Sequence, residues 1–154
     1  MFRNRGPATG RLLAGPLFRN IMLSYLSSLP AFLTYWGFAV LATVAFVGIY
    51  LWITPQTELK LIAQGNRSAA ISLSGVILGL VLPVASAVAH SVSLADLASW
   101  SAVAFAVQLV AYAVMRLMWR DLRSQIENDN GAVALLAAVV SVAAGVLNAA
   151  AMTY

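Results

Sequence analysis

The sequence predicts an all-α integral membrane fold. It reads as a four-helix bundle built from two parallel two-span repeats, with an N-terminal interfacial helix as a candidate extra element. Three observations predict it. The 154 residues are 62% hydrophobic and only 9% charged, whereas soluble domains carry about a quarter charged residues. No Asp, Glu, Lys or Arg lies in Asn20–Gln56, Ser68–Ala95, Leu97–Met115 or Gly131–Tyr154. And the chain resembles itself at an offset of 64 residues, which places Trp36 on Trp100, Ile62 on Ile126, Asn66 on Asn130 and Ala70 on Ala134.

The N-terminal tail, 1–28, comes first. It carries Arg3, Arg5, Arg11 and Arg19. Pro16, Arg19 and Asn20 interrupt its apolar part, so it does not read as a cleavable signal peptide. Leu12, Leu13, Leu17, Phe18, Ile21, Met22 and Tyr25 fall near one helical stripe, as an interfacial helix on anionic lipid would require. A loosely ordered leader fits the same residues.

The membrane domain, 29–154, follows. A charge at a helix centre costs roughly 2.5–3.5 kcal/mol on the insertion scale, so each charge-free stretch can hold a crossing of about 20 residues. The predicted spans are Pro30–Ile53, Ser68–Ala89, Leu97–Met118 and Gly131–Met152. Each is continuously apolar, without the alternation a barrel strand needs. In a medium without water each segment must satisfy its own backbone, which selects helix. Two spans in each half, 29–90 and 93–154, enter the membrane in the same direction, as in a parallel repeat.

The joints between spans carry the clearest local signals. Asn66 and Asn130 stand where loop turns into helix, each placed to accept from an otherwise unpaired backbone N–H. Small residues follow in both halves. Gly75 and Gly79, and Ala137, Ser141 and Gly145, put small surfaces on one helical face and allow close backbone approach. Spans two and four are therefore the expected inner pair, with spans one and three facing lipid. Pro83 falls inside span two and is expected to kink it, with the Ser86 hydroxyl available to the freed carbonyls. Tyr35, Trp36 and Trp100 would mark one membrane interface, and Tyr50, Trp52 and Trp119 the other.

Basic residues number five in the two odd loops (Lys60, Arg67, Arg116, Arg120, Arg123) and four in the tail. That comparison alone does not set orientation. Those near span ends, five against two, favour cytoplasmic odd loops.

"YLWITPQTELKLIAQGNRSAAISLSGVILGLVLP" and "GVLNAAAMTY", with Trp100 and Gln108 between them, carry a family likeness. Over roughly Leu29 to Tyr154 the chain resembles the YjfL-like family of small bacterial inner-membrane proteins. The resemblance implies four spans, a duplicated two-span unit and a multi-pass place in the inner membrane. It implies no activity.

Candidate functional residues are few. Gln108, midway along span three, is the deepest long polar side chain and is expected to bond Asn148 or Ser74. The pair Gln108 and Asn148 is either helix-packing glue or the polar lining of a solute path. Lys60, Arg67, Arg120 and Arg123 flank the two caps as solvated charges and headgroup contacts. Alternatively, they join the two helix N-termini in holding an anion or phosphate headgroup. Glu58 is read with them as a loop charge. His90, the one histidine, has no second ligand at metal-binding spacing; it serves as an interfacial hydrogen-bonding group or a proton-transfer group. Paired intramembrane carboxylates, an activated nucleophile and a phosphate loop are all absent, so neither an enzyme nor a cofactor is expected. The chain has no cysteine, and no aromatic platforms interleave its charges as nucleic-acid binding would need. The expected partners are the bilayer and either further copies of the chain or another membrane protein. Two functions fit: an oligomeric ion or small-solute channel or transporter-like protein, and a scaffold that binds lipid or proteins in an envelope-stress setting.

Overall fold

The computed structural model describes residues 15–54 and 58–152. Six helices follow in order: α1 Pro16–Ile53, α2 Glu58–Ala63, α3 Arg67–His90, α4 Leu94–Met118, α5 Leu122–Glu127 and α6 Gly131–Ala151. Four of them, α1, α3, α4 and α6, are long and apolar enough to cross a membrane, and no strand occurs among the described residues. Contacts fall into two units that divide between Trp36 and Gly37, within α1.

In the first unit α1 is already helical from Pro16, so residues 16–28 share a helix with the predicted first span. Residues 1–14 of the tail lie outside the described residues. Thr34 donates to the Pro30 carbonyl at 2.7 Å, while Ser27 and Ser28 donate to the carbonyls of Ser24 and Tyr25. Hydroxyls in an apolar helix thus find acceptors in the helix itself.

The second unit holds the core. Helices α3 and α6 share the most extensive interface, and α4 packs against both. Small residues make this possible. A Cβ added to Gly75 would overlap Ala138, and one on Gly145 would overlap the Gly79 backbone, so the two helices touch backbone to backbone. Such packing replaces the hydrophobic drive that lipid does not supply. Pro83 is buried within α3. The Ser86 hydroxyl donates across to the Ala149 carbonyl of α6 at 3.0 Å, not to the carbonyls that Pro83 frees, and so ties the inner pair together.

From Gly37 onward α1 joins through aromatic contacts. Phe46 stacks on Phe105 with ring centroids 4.8 Å apart, and Tyr50 meets Tyr112 edge-on at 5.6 Å. Tyr50 is therefore buried against Leu73 and Val76 and is not turned outward. Its predicted neighbour Trp52 is 87% exposed.

The two odd loops fold as short helices, each ending in the same way. After α2, Gly65 N–H bonds the Ile62 carbonyl and Asn66 N–H bonds that of Leu61; after α5, Asp129 N–H bonds Ile126 and Asn130 N–H bonds Gln125. This crossed pair closes a helix through one left-handed residue. Gly65 takes that conformation at φ 87°, and Asp129 at φ 57°, where aspartate is among the few side chains tolerated.

Candidate functional site

The cap residues sit where they are expected, but their bonds differ. Asn66 Oδ1 accepts from Ala69 N–H at 2.7 Å, while its amide donates to the carbonyls of Ile126 (2.9 Å) and Glu127 (3.2 Å). Asn130 Oδ1 accepts from Val133 N–H at a long 3.4 Å, and its amide donates to the Gln125 side chain. Asn66 therefore clamps the end of α5 to the start of α3, whereas Asn130 bonds within its own joint. Asp129 Oδ1 accepts from Ser68 N–H at 2.7 Å. That bond, before other influences, holds its carboxyl below the ordinary range.

This geometry bears on anion binding. The first donors of α3 are taken by Asn66 and Asp129, so a protein carboxylate already occupies the place offered to an external anion. Lys60, Arg67, Arg120 and Arg123 are all exposed. Arg123 pairs with Glu127 at 2.7 Å, a surface contact worth little. His90 Nδ1 hydrogen-bonds with the Ser86 carbonyl of its own helix, and Asp96 accepts from Val92 N–H.

Inside the bundle, buried polar groups lie at several depths. Gln108 is 2% exposed. Its amide donates to the Ser141 carbonyl at 3.0 Å, not to Asn148 or Ser74; Ser74 instead faces an apolar furrow of about 550 Å³ between α3 and α6. The missing side chain of Gly79 makes room for that amide. Gln108 Oε1, Ser101 Oγ and Asn148 Nδ2 are buried without a hydrogen-bond partner. Ser101 precedes Gln108 by two turns and Asn148 follows Ser141 by two turns on a helix running the other way. Both thus lie about 10 Å toward the same side at 1.5 Å per residue. In the opposite direction, Tyr50, Ser72, Tyr112 and Ser141 border a cavity of about 10 Å³, the lower limit for one water.

Glu58 lies at the odd-loop side. Its place in the sequence is that of a solvated loop charge. In the structure it is 1% exposed, and neither carboxylate oxygen has a hydrogen-bond partner. Burial alone pushes its carboxyl up to about 7, because a charge without water or counter-ion is disfavoured. Tyr50 lies within its electrostatic reach. The neighbouring Thr54 hydroxyl is already donated to the Tyr50 carbonyl at 2.7 Å. A signal for this burial was present in the sequence. At the offset of 64, Glu58 falls on Leu122, a buried apolar residue opening the second short helix.

Comparison with known proteins adds the relatives. Residues 24–152 match the family described as Domain of Unknown Function (DUF350). The chain is 37% identical over 129 residues to UPF0719 inner membrane protein YjfL of Escherichia coli (strain K12), covering 84% of this chain and 98% of the relative. It is 28% identical over 110 residues to UPF0719 transmembrane protein YshE of Bacillus subtilis (strain 168), covering 70% and 82%. No solved structure matches it.

Proposed function

The chain belongs to the DUF350 family and is a multi-pass inner-membrane protein; from that premise we propose that it passes a small ion across the membrane as an oligomeric channel or transporter-like protein. One observation carries the reading. Three polar atoms in membrane-crossing helices, on Gln108, Ser101 and Asn148, are buried with no partner. An unsatisfied polar group in hydrocarbon surroundings costs several kcal/mol, so groups held there at that cost are candidates for contact with water or an ion in transit. The close approach of α3 to α6 at Gly75, Gly79 and Gly145 leaves no wide pore within one chain. The cavity beside Tyr50 and Tyr112 is at the lower limit for one water, so within one chain the reading extends only to a proton, and a larger ion would need a path between protomers. No catalytic role is proposed.

The same tight interface favours the second reading, a scaffold whose helices serve chiefly to hold lipid or a protein partner. Flux from liposomes containing the purified protein separates the two. We expect proton or alkali-cation flux from the native chain, reduced at least about tenfold in Gln108→Leu, a change of about 1.4 kcal/mol in barrier. Absence of flux for every ion tested, with partner proteins recovered by crosslinking, would establish the scaffold instead.

A further inference from the structure

We propose that Glu58 is a proton-binding site at the odd-loop side of the bundle, exchanging a proton with water at the membrane surface. The inference extends the ion-conducting reading to a particular residue, but the binding of the proton stands on the local geometry alone.

Three features carry it. First, the carboxylate is buried with both oxygens unpartnered. A surface charge would keep its water, and a structural buried carboxylate would keep a cationic or N–H partner. Second, the surrounding helices bring no counter-ion to it. Lys60 on its own helix, Arg67 at the start of α3, Arg116 near the end of α4 and Arg123 on α5 are exposed, and Glu127 is taken by Arg123. The titratable groups facing inward are Tyr50 of α1 and, against it, Tyr112 of α4. Third, Tyr50 lies within the electrostatic reach of Glu58. Tyr50 and Tyr112 both border the cavity, which also meets Ser72 and Ser141, and the Ser141 carbonyl holds Gln108.

A proton is the ligand this chemistry takes. No group of three or more His, Cys, Asp and Glu side chains comes together among the described residues, and one carboxylate cannot supply the several oxygens that a calcium or magnesium ion needs. In release the carboxyl O–H bond breaks, the proton goes to a water as hydronium and the carboxylate remains; uptake reverses both changes. The affinity suits the task, since a group poised near neutral pH both loads and unloads.

Infrared spectroscopy of the full-length protein in lipid nanodiscs tests the site. Protonated carboxylic acids have a carbonyl band distinct from carboxylates, and the chain has only five acidic residues. We expect a protonated-carboxyl band in the native protein that is lost on raising pH with a midpoint near 7. The band should be absent in Glu58→Gln. Glu58→Leu, which copies Leu122 at the corresponding place in the second loop, provides a second, apolar replacement and should abolish it too. A band that titrates in the ordinary carboxylate range, or that survives in both folded variants, overturns the proposal. Proton flux measured on the same preparations keeps the two readings apart. If the band titrates near neutral pH while the native protein passes no ion, Glu58 binds a proton and the conduction reading fails. If the native protein conducts but the band does not depend on Glu58, conduction stands and this site does not.

Discussion

Replacing Asn66 by alanine should damage the fold well beyond the same change at Asn130, although the two residues occupy matching places in the sequence. Asn66→Ala removes a cap accepted at 2.7 Å from Ala69 N–H, worth about 1 kcal/mol. It also removes the amide that binds the Ile126 and Glu127 carbonyls. Each such bond contributes about 0.5–1.5 kcal/mol net, so the combined loss is about 2–4 kcal/mol. Asn130→Ala loses a long 3.4 Å cap contact and a bond to Gln125, whose own amide keeps its bond to Asp121; about 1 kcal/mol is the expected loss. Aspartate substitutions sharpen the contrast. Asn66→Asp keeps the cap acceptor but turns a carboxylate oxygen toward two carbonyls, so it should remain at least about 1 kcal/mol less stable than the native chain. Asn130→Asp should lose less than Asn66→Asp, because it breaks only the single contact with Gln125 Oε1 and no bond to a helix from the other half of the chain. Denaturant unfolding in detergent micelles, followed by helical circular dichroism, measures all four. Equal losses in the two alanine variants, or native stability in Asn66→Asp, would refute the clamp between α5 and α3.

Two further outcomes concern stability. Gly79→Ala should destabilise by about 1–3 kcal/mol through overpacking, since its Cβ would meet the Ser141 backbone and the Gln108 amide; Gly48→Ala, with open space around it, should be neutral or stabilise by up to about 1 kcal/mol, and thermal unfolding of the pair checks both. For Glu58, a folded-state value near 7 against an ordinary 4.5 means that the folded chain keeps a proton the unfolded chain has lost. Its contribution is fully present below about pH 4.5 and is lost as pH rises through about 7. At about 1.4 kcal/mol per pH unit the native chain should lose on the order of 3 kcal/mol across that window, and Glu58→Gln should remove that part of the slope in unfolding measured against pH.

Much of this molecule is legible without coordinates, because the bilayer acts on each segment separately. A charge-free run must insert, and once inserted must be helical whatever its neighbours do, so hydropathy alone determines that α1, α3, α4 and α6 are membrane-length helices. Asn66, Asn130 and the small residues from Gly75 to Gly79 are equally local, since a cap answers to its own helix start and a missing side chain permits close packing against any partner. What tertiary structure decided is which way each side chain turns and what it meets. Tyr50 looks like an interfacial aromatic, but Leu73, Val76 and Tyr112 bury it. Gln108 has several acceptors at its depth, and the space left by Gly79 directs it to Ser141. Glu58 reads as a loop charge because loops are ordinarily solvated. Only the folding of that loop into a short helix against the bundle takes water away from it. The hydrophobic pattern of a chain records its contact with solvent and lipid; the partner of a polar group depends on helix rotation and on neighbours distant in sequence.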